Sequence, residues 1–220
     1  MEIIVGRKTE ELGPGAFARL ISGYRELWLD LGSGDGVFVY DSAKDHPDAL
    51  VVGVDANRDN LRHYSAKARR KAVRGGLPNA LYAIAPVERL PRELDGRAAR
   101  VFINFPWGSL LRAVVEPAEP VLEGIARAGA DRARLSILLN YTLFGDAALI
   151  GTLRLPQVTS RYVDDVLRPA YARAGIALTA ADLLAPDQIP YRTEWGQKLT
   201  VSGARETLRI EGTIRLRPDS

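Results

Sequence analysis

One stretch constrains this chain more than any other: Trp28 to Gly36, which reads W-L-D-L-G-S-G-D-G. Leu27 to Leu31 is an apolar run of strand length, and Gly32, Gly34 and Gly36 then break the pattern. Glycines at this spacing let the backbone turn tightly and approach a ligand before a helix starts. Val37 to His46 can be that helix. A strand, a glycine-rich turn and a helix form the opening unit of an open α/β nucleotide-binding sheet. The spacing is not the G-x-G-x-x-G of pyrophosphate binders: the third glycine comes one residue early, and an acid, Asp30, precedes the turn inside the strand. The D-x-G-x-G-x-G form is the S-adenosylmethionine (SAM) variant of the turn. Glycine-rich turns also close ordinary hairpins, so the remaining sequence has to decide.

At 220 residues, one α/β domain spanning 1–220 is expected, with 1–25 as a small N-terminal hairpin and helix laid against the core. There is no cysteine, hence no disulfide, thiolate metal site or cysteine nucleophile. With only His46 and His63, a histidine-rich metal centre is not expected either. Met1 to Lys8 is too short and too charged for a signal peptide, and no run approaches about 18 apolar residues. A cytoplasmic protein with no membrane partner is the expectation.

Leu50 to Val54 (L-V-V-G-V) suits a second parallel strand covered on both faces, and Asp55 follows it. An acid roughly twenty residues past such a turn commonly accepts hydrogen bonds from ribose hydroxyls. It could equally cap the helix that starts near Arg58. Further strands are expected at Ala80–Ala85, Arg100–Asn104, Leu135–Leu139, Ile176–Ala180 and Thr207–Leu216, making seven in all. Helices are expected at Ser109–Val115, Pro120–Ala128 and Asp164–Ala174. Two long connectors, 141–157 with a helical turn around Asp146–Ile150 and 186–203, lack periodicity and read as substrate-facing excursions.

Three features point beyond the cofactor. Arg58 to Arg74 reads mostly as a helix carrying Arg58, Arg62, Lys67, Arg69, Arg70, Lys71 and Arg74 against a single acid, Asp59. A solvated face usually mixes signs, so one-signed density favours RNA contact. Glu88, in A-P-V-E-R-L after the third strand, falls where a bound adenine ring would lie, or else decorates the surface. The segment Asn104-Phe105-Pro106-Trp107 ends the fourth strand at the sheet's ligand edge and resembles the N-P-P-Y/F loop of amino-group methyltransferases, with Phe105 where the first proline would be. A ring there can stack on a flipped base; a core tryptophan under the loop is the alternative. Trp195, in a Gly/Pro-rich connector, is placed to bind something as well.

The turn, the basic segment ending K-A-V-R-G-G-L-P-N, A-P-V-E-R-L, F-P-W-G-S-L-L and the late E-W-G-Q-K-L together resemble, nearly end to end, the aminoglycoside-resistance 16S rRNA (adenine-N1) methyltransferases of the Kam and Npm type. The resemblance implies an α/β class I SAM-dependent methyltransferase fold with a Rossmann-like seven-stranded sheet, acting on adenine 1408 of 16S rRNA in the 30S subunit as a monomer. It implies that Asp30, Gly32, Gly34 and Asp55 hold the amino-acid and ribose portions of SAM. Val87 and Glu88 would border its adenine, and Ser109 would lie beside it. Trp107 and Trp195 would stack the target base. Lys67, Arg69, Arg70, Lys71 and Arg74 would dock on rRNA, with Arg154, Lys198 and Arg205 as further contacts. Lys198 stands where relatives carry arginine, and Gly203 where they carry another basic residue; lysine keeps the charge but loses the planar grip on phosphate. Two other readings compete: a small-molecule methyltransferase sharing only the core, and a SAM-sensing RNA-binding protein without catalysis.

Overall fold

The apolar runs assemble into one mixed sheet in the computed structural model, which describes residues 1–140, 154–185, 188–189 and 207–215. In chain order the elements are β1 (Glu2–Val5), β2 (Lys8–Glu11), α1 (Pro14–Ile21), β3 (Glu26–Leu31), α2 (Val37–Asp45), β4 (Ala49–Asp55), α3 (Arg62–Ala68), β5 (Ala80–Ile84), β6 (Ala98–Asn104), α4 (Gly108–Val115), α5 (Glu119–Ala128) and β7 (Gly129–Asn140). Then come α6, built from Ser160–Tyr162, a wider π-helical Val163–Leu167 and Arg168–Arg173 in succession, β8 (Ile176–Leu184) and β9 (Thr207–Ile214). Their order across the sheet is β2-β1-β5-β4-β3-β6-β7-β9-β8. Strands β3 to β7 run parallel, and β9 is antiparallel to both β7 and β8. The chain leaves β3 to one side for β4 and later returns to the other side for β6. That reversal puts the ligand crevice at the carboxyl ends of β3, β4 and β6.

The sheet separates two apolar layers. Leu27, Leu29 and Leu31 of β3 face the larger one, with Phe17 of α1 and the inner faces of α4, α5 and α6. Trp28 faces the smaller one, where Val39, Tyr40 and Ala43 of α2 and Leu61 and Ala68 beside and on α3 cover Val51 and Tyr82. β4 is buried along its length up to Asp55, as a strand covered on both faces must be.

Strands β3 to β9 supply the seven expected strands, but the N-terminal hairpin does not lie against the core. It extends the sheet in its plane, β1 pairing antiparallel to β5 through Ile3 and Ala83. Ile3 joins one apolar layer and Ile4 the other, which is the alternation an in-plane strand requires. β2, exposed throughout and bearing Lys8, Glu10 and Glu11, closes that side with a charged edge that discourages further pairing.

The basic segment is also not one long helix. α3 stops at Ala68; Lys71 is extended at φ −60° and ψ 146°, and only a single tight turn, Ala72–Arg74, follows. The stop has local causes. Gly75 takes φ +82°, the Leu77 N–H donates to Ala68 O at 2.8 Å, and the Gly76 N–H donates to Lys71 O at 3.2 Å. The Tyr40 hydroxyl adds a hydrogen bond to Gly75 O at 2.7 Å. Arg69, Arg70, Lys71 and Arg74 therefore project from a closed, exposed loop rather than from a helix face. Elsewhere the elements fall at their expected positions with shifted ends: β7 begins at Gly129 rather than Leu135, and α6 begins at Ser160, where the Thr159 side chain accepts the Tyr162 N–H at 3.1 Å.

Candidate active site

The glycine turn is clamped onto the neighbouring strand: the N–H groups of Gly32 and Ser33 both donate to Val54 O, at 2.8 and 3.1 Å. Gly32, Gly34 and Gly36 have φ of +73°, +55° and +81°, the left-handed region that side chains disfavour. The positions are not equivalent. A Cβ on Gly34 would meet nothing within 4 Å, so its backbone is bare toward the crevice, whereas one on Gly36 would lie 2.5 Å from the Tyr82 ring. Gly36 thus lets α2 start directly over β5, a role its place in the motif did not reveal.

The turn opens onto a crevice of about 780 Å³ that brings together Asp30, Gly32, Gly34, Asp55, Val87, Glu88, Trp107 and Ser109. Asp30 is 2% exposed, and burial pushes its carboxyl up to about 7, opposed by hydrogen bonds from Ser33 and Asn104 and reinforced by the negative charges of Asp55 and Asp35. The hydrogen bond from Asn104 Nδ2 to Asp30 Oδ1 measures 3.1 Å. A buried carboxylate at the base of a crevice, beside two other acids, suits a ligand that arrives with positive charge. Asp55 serves the fold and the crevice at once. Oδ2 accepts the Gly34 N–H at 2.9 Å and Oδ1 the Asn57 N–H at 2.8 Å, so the carboxylate ties the glycine turn to its own loop. Burial raises its pKa, and these two N–H groups and Asn60 lower it. Asp55 therefore does not cap a helix: its bond to Asn57 lies in a loop, and α3 starts only at Arg62, with Leu61 at its N-cap position and no side-chain cap.

Val87 and Glu88 sit in a single 3₁₀ turn, Val87 buried and Glu88 exposed on the rim. This turn is set by α5: a Cβ on Gly124 would lie 2.2 Å from the Val87 carbonyl oxygen. Gly124→Ala should push Val87 and Glu88 away from α5, costing about 1–3 kcal/mol of stability by overpacking. The expected result is a melting temperature lowered by a few degrees together with weaker SAM binding by calorimetry. An unchanged melting temperature would show that the contact relaxes freely.

The loop after β6 differs from the proline loop it resembles for a definite reason. Phe105 has φ +49°, which proline cannot adopt. Its N–H donates to Leu138 O at 2.8 Å, and its buried ring packs with Leu138 and Leu184. That anchorage fixes a strained residue next to Pro106, and Trp107 follows at the entry to α4, 53% exposed and lining the crevice. Trp107 is therefore not a core residue.

Not every expected site residue joins this crevice. Lys67 is held over the Tyr40 ring at 4.0 Å and near the Tyr64 ring at 5.3 Å, which keeps its stem half-buried while Arg69, Arg70, Lys71 and Arg74 are exposed. Arg154 is exposed at φ +51°, and its carbonyl accepts from Arg112 Nη1 of α4 at 3.3 Å. Trp195, Lys198, Gly203, Arg205, the turn at Asp146–Ile150 and nearly all of both connectors lie outside the described residues. Asn60, Asn104 and Gly124 were missed by sequence reasoning; only Asn104, at the head of the F-P-W segment, had a signal to find. Among the described residues, no group of three or more His, Cys, Asp or Glu is arranged to hold a metal, and no helix is long and apolar enough to cross a membrane.

Seven strands, β3 to β9, of which β9 alone runs antiparallel, an acid-preceded glycine turn and an aromatic at the exit of β6 define a class I methyltransferase. The family model for NpmA, 16S rRNA (adenine(1408)-N(1))-methyltransferase, matches residues 2–214, and the chain belongs to that family. It is 36% identical over 217 residues to the 16S rRNA (adenine(1408)-N(1))-methyltransferase of Streptoalloteichus tenebrarius, an alignment covering 97% of this chain and 99% of that one. Among solved structures, the antibiotic-resistance methyltransferase Kmr is 37% identical with a TM-score of 0.83, covering 99% of this chain and 100% of Kmr. The enzyme from Catenulisporales acidiphilia, crystallised as a tryptophan-to-alanine mutant with cosubstrate SAM, is 27% identical with a TM-score of 0.91, covering 100% of this chain and 99% of that one.

Proposed function

We propose that this protein methylates N1 of adenine 1408 in 16S rRNA, using SAM, within the assembled 30S subunit, and so confers aminoglycoside resistance. On this reading it works as a cytoplasmic monomer. The observation that carries the proposal is the placement of a half-exposed tryptophan, Trp107, on the same crevice as the acids Asp30, Asp55 and Glu88.

The residues present fit SAM. Asp30 offers a buried carboxylate for the ammonium group, and Gly34 presents bare backbone. Asp55 and Glu88 add acceptors farther along the crevice. When bound, SAM supplies an electrophilic methyl group on a sulfonium. Adenine N1 already carries a lone pair, so the protein has no proton to remove, and placement does most of the work. The chain's task is to hold a base that has left its stack. Trp107 on one side, with Trp195 proposed for the other, offers on the order of 1–3 kcal/mol per stacked base, comparable to the cost of unstacking. Ser109, on the exposed rim beside Trp107, borders the cofactor. Recognition of the subunit falls to Lys67, Arg69, Arg70, Lys71, Arg74, Arg154, Lys198 and Arg205, reading phosphates and shape rather than sequence.

Methyl incorporation from labelled SAM into 30S subunits, deproteinised 16S rRNA and a panel of small amines tests this reading. Strong incorporation into 30S alone is expected; incorporation only into small amines would replace it with a small-molecule methyltransferase. Charge reversal at Arg70 and Lys71 should weaken 30S binding and reduce the slope of log affinity against log salt by about one per lost contact. SAM affinity should not change. An unchanged slope would return this loop to an ordinary solvated surface.

A further inference from the structure

Asp30 and Asn104 are far apart in sequence but meet on the crevice wall, where β3 and β6 run side by side with Asp30 opposite Phe102. Asn104, the last residue of β6, reaches back so that Nδ2 donates to Asp30 Oδ1 at 3.1 Å. The charged groups acting on Asp30 are Asp35 of the turn and Asp55 of β4, both negative, while Ser33 is a hydrogen-bond neighbour and Tyr82 of β5 feels its charge. Neither histidine lines this crevice. Among the described residues, the amide of Asn104 is thus the donor from outside the turn to a carboxylate that burial otherwise drives toward its neutral form.

We propose that Asn104 is a positioning residue for the amino group of SAM: it orients the Asp30 carboxylate, favours its ionised form, and ties it to the loop carrying Trp107. The tie is short. Asn104 is bonded to Asp30, Phe105 is pinned by its N–H to Leu138 O at 2.8 Å and by a buried ring, and Pro106 has a fixed φ. Trp107 is next. The cofactor's anchor and the target base's stacking ring therefore share one rigid segment, so displacing the first displaces the second. A neutral Asp30 would greet the ammonium group with weaker attraction, and a rotated one would present the wrong oxygen.

This inference rests on the crevice being a SAM site, and its test separates the two ideas. The affinity of the ligand-free protein for S-adenosylhomocysteine, which carries the same amino-acid group, is measured by calorimetry from pH 5.5 to 10. In parallel, the Asp30 carboxyl is titrated by ¹³C NMR without ligand. In the unsubstituted protein, affinity should rise as pH passes through about 7 and then level off. In Asn104→Ala the midpoint of both curves should move up by about one to two pH units, since a hydrogen bond to a charged group is lost. Affinity at pH 7 should fall roughly 5- to 50-fold, the fraction ionised that such a shift leaves. Asn104→Gln, which keeps the amide, should reverse part of the shift. Should Asn104→Ala not fold, Asn104→Leu keeps the volume and carries the same expectation. A midpoint that stays put, with affinity lowered by one factor at every pH, would reduce Asn104 to packing and overturn the inference. If the unsubstituted protein bound S-adenosylhomocysteine at no pH, the SAM reading would fall instead.

Discussion

Trp107→Ala should lower methyl transfer to 30S subunits by roughly 5- to 150-fold while leaving affinity for S-adenosylhomocysteine within about twofold. The size follows from the 1–3 kcal/mol that stacking on an aromatic ring contributes per base. The separation of effects follows from position. The ring is half exposed at the rim, and Phe105 and Pro106 fix the backbone leading to it. Removing the indole leaves Asp30, Gly34 and Asp55 where they are. Single-turnover rates at saturating SAM, with calorimetry on the same preparation, check it. A large loss of cofactor affinity would mean that Trp107 packs on the cofactor rather than on the target base.

Asp30→Asn should have the opposite signs for stability and function. The folded-state pKa of Asp30 is raised from 3.8 to about 7, so the folded protein holds its proton more tightly than the unfolded chain does. The stability this contributes is fully present below about pH 4 and is lost as pH rises through about 7, a change on the order of 4 kcal/mol. Asparagine removes the buried charge and keeps the shape. The melting temperature at pH 8 should therefore rise by several degrees, and its decline between pH 4 and 7 should flatten. Affinity for S-adenosylhomocysteine should drop at least tenfold, because the ammonium group loses its ionic partner. A variant less stable at pH 8 than the unsubstituted protein would show that Asp30 is ionised at little cost. Strain kept at a binding site at the expense of stability is a familiar trade.

The parts of this site that were legible in the sequence are those that chain-local geometry dictates. Asp30 and Asp55 lie at the ends of strands, and the glycines, the Val87–Glu88 turn and Trp107 each follow one; strands of a parallel sheet deliver their ends to one edge. Their convergence on a single crevice needed only the strand order. What escaped was set by contacts between remote segments. Gly124 looks like a poor helix residue until α5 is seen lying on the Val87 carbonyl. Asn104 heads a segment that the sequence singles out, yet its bond to Asp30 emerges only when β6 is laid beside β3. Phe105 seemed a substitute for proline, yet its left-handed backbone excludes proline, and its ring answers to β7 and β8. The basic segment misled for a different reason. Periodicity at Leu61, Tyr64 and Ala68 continued nominally to Ala72, but Gly75 and Gly76 let the chain fold back and close a loop that burial patterns cannot anticipate. The hairpin likewise showed only a short apolar run, Ile3 to Val5, too short to announce that it would join the sheet.

The central claim is that this crevice methylates one base of the decoding site. Reverse transcription across 16S rRNA from 30S subunits incubated with the protein and SAM tests it most directly, because a methyl group on adenine N1 blocks pairing. A new stop at adenine 1408, absent without SAM and strongly reduced with Trp107→Ala, is the predicted result. No stop at that adenine, in a protein that binds S-adenosylhomocysteine and associates with 30S subunits, would contradict the account.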